Sequence, residues 1–308
     1  MAQSKYATYC EELYKAIKSK GTDKNTLIEI TTNESLKERL KIKEKYIMLY
    51  GTDLKDDLKS ALSGNFQKVM MALYTDKYEY DAEQLYNAIK DAGTDEDTLI
   101  EIIGTRPGWM LKKIKAAYKK LYNRDLEEDV KDDTSFNFQK LLITLLQCNR
   151  SKNTEVDIEK CKEISDELYN AGEKKIGTDE FIFNKYIGNC SPLELMHIAR
   201  EYHRNYGKTL IQVIDSEFSG SIKKLLKTVL YANICPSEYF ARRINEAVKG
   251  LGTNEKILNR VIVTRCEIDL PIIQEYYKRN FGDMIKDIKD DVSGYYKQLL
   301  TALITKNI

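Results

Sequence analysis

Histidine is nearly absent from this 308-residue sequence: His197 and His203 are the only two. They stand six positions apart, too far round a helix to share a face, so a histidine metal pair is not expected. Tryptophan occurs once, as Trp109, and proline four times, as Pro107, Pro192, Pro236 and Pro271. So few prolines in so long a chain favour helix. The six cysteines (Cys10, Cys148, Cys161, Cys190, Cys235, Cys266) form no Cys-x-x-Cys pair. That spacing predicts reduced cytosolic thiols rather than a disulfide framework. No apolar run approaches the roughly 18 residues that a membrane span needs. The opening Met1-Ala2-Gln3-Ser4-Lys5-Tyr6 has no apolar core of a secretory signal, so none is expected. An excess of one charge is missing as well. Lys plus Arg is 49 and Asp plus Glu is 48, a net charge of +1. Such a protein has no global attraction for nucleic acid or anionic lipid. Gly-x-Ser-x-Gly, the P-loop and Gly-x-Gly-x-x-Gly are all absent, and an enzyme is not expected.

What the chain has is repetition. Gly21, Gly93, Gly177 and Gly252 are each followed by Thr-Asp or Thr-Asn, at similar intervals of which the middle one is the longest. Four apolar stripes with helical spacing recur almost in step. They are Phe66-Val69-Met70-Leu73, Phe138-Leu141-Leu142-Leu145, Ile222-Leu225-Leu226-Val229 and Tyr296-Leu299-Leu300-Leu303. Their first and second intervals equal those of the glycines, and the third differs by a single position. Two independent landmark sets in such close agreement define an all-α protein of four repeats. These run over 5–75, 81–147, 158–231 and 236–305, with five helices in each as the simplest parse.

Within repeat one, a helix through Leu13, Ala16 and Ile17 stops at Gly21, and Thr22 is expected to cap the next. The third helix is expected to pass through Leu36, Leu40 and Ile47, and a short fourth one to carry Leu54, Leu58 and Leu62. In repeat two, Thr94 and Asp97 have the spacing of a capping box. The polar stretch 150–157 reads as the linker. The 21 tyrosines read as amphipathic packing residues with their hydroxyls at the surface.

Late in each repeat comes a second landmark. Asp133, Glu217 and Asp291 stand two positions before Ser135, Ser219 and Ser293; in repeat one Ala61 takes the acid's place, before Ser63. The glycine loop and the distant acid read as two halves of one calcium site. Calcium takes roughly six to eight oxygens at about 2.3–2.6 Å. A tight glycine loop can turn several carbonyls one way, and one bidentate acid adds two ligands. The remaining positions suit water or a lipid phosphate, which would couple calcium and lipid affinity. The plainer reading is that Gly-Thr-Asp ends one helix and starts another. The acid would then only favour the next helix through its dipole.

These residues resemble the annexin family. Its motif is Lys-Gly-x-Gly-Thr followed, at a set distance downstream, by Asp or Glu. Val248-Lys249-Gly250-Leu251-Gly252-Thr253 with Asp291 matches it nearly throughout. The resemblance covers all four repeats. With no long N-terminal tail and several altered positions, the chain is similar to the α-giardin branch. The resemblance implies a curved disc of four five-helix repeats. Its convex face would meet anionic phospholipid through Ca2+, at the cytoplasmic side of the plasma membrane. The site residues it implies are the carbonyls of Val248, Gly250 and Gly252 with Asp291; Gly172, Lys175 and Gly177 with Glu217; and Ile89, Asp91 and Gly93 with Asp133.

Some positions depart from the pattern. Repeat one has Ser19 and Ala61 where a glycine and the acid belong, so no site is expected there. Repeat two has Asp91 for the first glycine and Phe136 where the other repeats have Gly64, Gly220 and Gly294. Repeat four is a single position short between Gly252 and Asp291, which places a deletion near Phe281-Gly282-Asp283. Ile176 and Leu251, at loop tips, are candidates for dipping into lipid. Trp109, which the family places on the concave side, reads as a packing residue. The alternative function is a calcium-independent helical scaffold with a cytoskeletal partner, on microtubules or flagella.

Overall fold

The computed structural model describes residues 2–91, 93–151, 155–175, 177–250 and 252–306. Among them are twenty helices and no strand. Repeat one contains α1 (Ala2–Lys18), α2 (Lys24–Asn33), α3 (Leu36–Tyr50), α4 (Leu54–Ala61) and α5 (Gly64–Leu73). Repeat two contains α6 (Lys77–Ile89), α7 (Glu96–Thr105), α8 (Gly108–Tyr122), α9 (Leu126–Asp133) and α10 (Phe136–Leu146). Repeat three contains α11 (Ile158–Ala171), α12 (Glu180–Asn189), α13 (Pro192–Tyr206), α14 (Leu210–Glu217) and α15 (Gly220–Ile234). Repeat four contains α16 (Pro236–Val248), α17 (Glu255–Arg265), α18 (Leu270–Asn280), α19 (Met284–Asp291) and α20 (Gly294–Thr305).

The second helix of every repeat is capped by the residue after the threonine. Asp23, Asp95, Asp179 and Asn254 accept backbone N–H groups of the first turn. Neither Thr22 nor Thr94 is the cap, and the Thr94–Asp97 box does not form, because the Thr94 hydroxyl is spent on Asp133. Ser63, Ser135, Ser219 and Ser293 start the fifth helices without a side-chain capping bond. The third helix does pass through Leu36, Leu40 and Ile47, and the residues it buries are Arg39, Ile42 and Tyr46. Ile47 is exposed.

The chain folds as two compact units, Met1–Lys77 with Phe240–Ile308, and Tyr78–Tyr239. Repeats one and four share the first, repeats two and three the second. The stretch 150–157 is therefore no boundary between units. Arg150 donates to the carbonyls of Ile187 and Cys190 at 3.0 and 2.6 Å, and residues 152–154 lie outside the described residues.

In the first unit, α2 packs on α20 and α5 on α17. The Arg39 guanidinium lies buried, donating to the carbonyls of Leu73 and Thr31 at 2.6 and 3.2 Å and to Glu267 at 2.7 Å. A buried charge is tolerated only when it is satisfied in this way.

In the second unit, α7 packs on α15 and α10 on α12. Leu99, Ile103, Leu141, Ile187, Leu225 and Val229 belong to its continuous core. Glycine permits the close approach of these helices. A Cβ on Gly104 would stand 2.8 Å from Thr228 Cγ2, and one on Gly188 would stand 2.9 Å from Thr144 Cγ2.

Candidate metal centres

Every glycine loop is closed by the same bond. The N–H of the capping residue donates back to an alanine near the end of the first helix: Asp23 to Ala16 at 2.9 Å, Asp95 to Ala88 at 2.8 Å, Asp179 to Ala171 at 2.7 Å and Asn254 to Ala247 at 2.8 Å. The span is a single position longer in repeat three, which accommodates the extra loop residue. Gly21, Gly93, Gly177 and Gly252 have φ of 88°, 93°, 83° and 85°. An L side chain is strained there, so glycine is the fitting residue.

The threonine after the glycine ties the loop to the distant acid. Thr94 Oγ1 donates to Asp133 Oδ2 at 2.7 Å and Thr178 Oγ1 to Glu217 Oε2 at 2.6 Å. Thr253 Oγ1 instead donates to the Asp291 backbone oxygen at 3.2 Å. Asp291 Oδ2 is buried and has no hydrogen-bond partner. An orphaned, buried carboxylate oxygen calls for a donor or a cation. Repeat one differs. Its Thr22 also has positive φ, 54°, and Ser19 Oγ accepts the Asp23 N–H at 3.1 Å. With Ala61 in the acid's place, no carboxylate side chain stands at that position.

The altered positions of repeat two are compatible with the loop. Gly250, the counterpart of Asp91, does not have positive φ, and a Cβ there would meet the Gly252 carbonyl oxygen at an ordinary 3.6 Å. Phe136 keeps the bend that glycine makes elsewhere: its φ is 53°, against 64°, 60° and 62° at Gly64, Gly220 and Gly294.

In repeat three the Gly172 carbonyl already accepts the Lys175 N–H at 3.1 Å, leaving one lone pair. Ile89 and Asp133 line one cavity of 250 Å³ with Tyr118, Arg124 and Asp129. In the other unit Thr253 and Asp291 line one of 430 Å³ with Lys24, Ser63 and Glu255. Repeat four's missing residue falls in the turn from α18 to α19, through Phe281 to the cap Asp283. Ile176 and Leu251 lie outside the described residues. Trp109 is not the packing residue expected of it, because it is 57% exposed.

Among the described residues, no group of three or more His, Cys, Asp or Glu side chains could hold a metal. A thiolate or imidazole metal is therefore not served by these loops. One acid among backbone carbonyls suits a hard cation such as calcium.

One set of residues beside the loops was missed. Tyr46, Tyr118, Tyr202 and Tyr277 are fully buried, contrary to the surface hydroxyls expected. Each donates to an acid: Asp57 at 2.7 Å, Asp129 at 2.7 Å, Glu173 at 2.8 Å and Asp287 at 2.8 Å. A cation braces each acid: Lys18, Arg124, Lys208 and Lys249 respectively. The hydrogen bond from Arg124 holds the Asp129 carboxyl below its ordinary range. Burial, and then the bond to Asp129, pushes the Tyr118 hydroxyl well up. The signal was present in the sequence, because each tyrosine stands at one constant offset from its loop glycine. Tyr46 follows Gly21 as Tyr118 follows Gly93, Tyr202 follows Gly177 and Tyr277 follows Gly252.

Four five-helix repeats, three of them with a glycine loop set against a distant acid, define an all-helical repeat protein with candidate sites for a hard cation. A family model described as Annexin matches residues 8–73, 80–145, 165–229 and 239–303. Annexin A13 of Mus musculus is 42% identical over 298 residues, 96% of this chain and 93% of that one. The chain belongs to the annexin family. The solved structure of annexin III matches with a TM-score of 0.95 at 37% identity, covering 98% of this chain and 94% of that one. That of calcium-bound annexin (Sm)1 matches with a TM-score of 0.86 at 32% identity, covering 98% and 90%. The calcium-bound structure of alpha-14 giardin shares the fold, with a TM-score of 0.87 at 21% identity, covering 97% and 99%. Calcium-dependent phospholipid binding is the general property of annexins. Among the described residues no helix is long and apolar enough to cross a membrane.

Proposed function

We propose that this protein binds anionic phospholipid membranes through calcium held at three of its four repeats. In repeat four the ligands are the carbonyls of Val248, Gly250 and Gly252 with the Asp291 carboxylate. In repeat three they are Gly172, Lys175 and Gly177 with Glu217, and in repeat two Ile89, Asp91 and Gly93 with Asp133. Repeat one, without its acid, carries no such site. A lipid phosphate completes the coordination, so lipid and calcium each raise the other's affinity. With a net charge of +1, the ion supplies the attraction that the chain lacks.

The observation that carries this reading is the buried, unpartnered Oδ2 of Asp291 beside the Thr253 loop. An acid that only favoured the next helix would not need an oxygen withheld from water and from every donor.

The test is co-sedimentation with phosphatidylserine vesicles, in calcium and in chelator. Pelleting in calcium alone is expected, and it should be largely abolished by Glu217→Ala with Asp291→Ala in a protein that remains folded. Calcium-dependent pelleting retained by that folded double variant would overturn the assignment. Equal pelleting in chelator would move the interaction away from the loops.

A further inference from the structure

The bend that opens α10 is made by a residue poorly suited to it. Phe136 sits at φ 53°, where the three equivalent bends use glycine. A bulky side chain in this region is strained, and such strain persists where function holds it. The ring does not offset the strain by packing, since it is 85% exposed. Folding gives no reason for phenylalanine here.

The ring's position gives one. Phe136 lies three positions beyond Asp133, whose carboxylate accepts the Thr94 hydroxyl of the repeat-two loop at 2.7 Å. Ring and candidate calcium ligand therefore leave the same short connection. A second exposed aromatic flanks it: Phe181, in the first turn of α12, is 68% exposed. Asn184, one turn further along α12, donates from Nδ2 to the Asn137 carbonyl at 3.2 Å. That bond holds the bend of repeat two against the first turns of α12. The counterpart contact in the same unit, between the bend of repeat three and the head of α7, is polar. There Ser221 bonds Glu96, and Lys224 pairs with Asp97 at 2.9 Å.

We propose that Phe136, flanked by Phe181, is an apolar wedge that enters the interfacial layer of an anionic phospholipid bilayer once calcium has docked repeat two on it. The inference rests on the membrane binding proposed above and adds a second anchor to it. Calcium ligands hold phosphates at the surface. An aromatic side chain beside them gains by leaving water for the boundary between headgroups and acyl chains. The glycine that stands at the same position in the other three repeats has no side chain to insert.

Two variants test it. Phe136→Trp, made together with Trp109→Phe, places the chain's one indole at the bend. With calcium and phosphatidylserine vesicles its emission should shift to the blue and be quenched by lipids brominated near the glycerol end of their acyl chains. Phe136→Gly should fold, with higher thermal stability. Its calcium-dependent vesicle affinity should fall about tenfold, the loss expected when one exposed aromatic no longer leaves water. A vesicle-bound protein whose indole emission is unmoved and insensitive to bromine overturns the wedge but leaves calcium-dependent binding intact. Unchanged affinity of the glycine variant does the same, pointing to a protein partner or a second copy for this patch. Failure of the unaltered protein to pellet overturns both proposals.

Discussion

Tyr202 donates from its hydroxyl to Glu173 Oε2 at 2.8 Å, tying the end of α13 to the glycine loop of repeat three. In the other repeats the partner acid comes from the fourth helix, as Asp57, Asp129 or Asp287. In repeat three that helix position holds Val213, which is buried and apolar. The longer loop supplies the acid instead, and Lys208 braces it. Thus one loop both carries candidate calcium ligands and completes a buried structural pair.

Glu173→Gln should destabilise the second unit by about 2 kcal/mol, the range for losing a charge-assisted hydrogen bond. Urea denaturation measures it. Paired with Tyr202→Phe in a double-mutant cycle, it should show a coupling of about 1 kcal/mol or more. Simple additivity would mean that the two side chains do not act together.

Asp291→Asn should have opposite effects with and without calcium. In chelator, replacing a carboxylate whose buried Oδ2 lacks a partner should leave the melting temperature unchanged or raise it. In calcium, the stabilisation that the bound ion supplies should shrink by the share of repeat four. Thermal melts of both proteins across a calcium titration check this. A variant that melts lower in chelator would make Asp291 a structural residue.

Acid should weaken the second unit through Asp129. Arg124 lowers the folded value of its carboxyl. A depressed carboxylate contributes stability that is present above the unfolded value of about 3.9 and is lost as the pH falls through the lower folded one. Asp129→Asn should therefore flatten stability against pH in the window below about pH 4, while lowering stability at neutral pH. Equilibrium unfolding at a series of pH values in the acid range resolves the difference.

Gly188→Ala should cost about 1–3 kcal/mol by overpacking, because its Cβ would stand 2.9 Å from Thr144 Cγ2. Thr144→Ser, which removes that methyl, should recover most of the loss. The mirror change Gly104→Ala, against Thr228 Cγ2 at 2.8 Å, should behave alike. Denaturant midpoints compare the variants.

Much of this arrangement is a property of chain order. Helix ends are local events, and so glycine followed by Thr-Asp or Thr-Asn marked four loops at Gly21, Gly93, Gly177 and Gly252. The stripes from Phe66 to Leu73 and from Phe138 to Leu145 marked helix faces that are buried in the fold. The acids Asp133, Glu217 and Asp291 were legible because repetition set them at nearly constant distance from those glycines. Asp57, Asp129 and Asp287 repeat just as regularly, yet their role was hidden: a charged residue on a short helix looks like solvated surface until its tyrosine is seen to be buried.

Tertiary structure decided the rest. Only packing shows that repeat one shares a unit with repeat four and repeat two with repeat three, since spacing along a chain says nothing of which repeats pair. Only packing turns α3 to bury Arg39 and Tyr46 rather than Ile47, because a guanidinium can be buried once distant carbonyls and Glu267 surround it. Burial likewise leaves Asp291, of the three candidate site acids, with an unsatisfied oxygen. The sequence could name Phe136 as a misfit among glycines. Its strained φ and exposed ring became visible when the backbone around it took shape, because strain and exposure depend on neighbours that the sequence does not order.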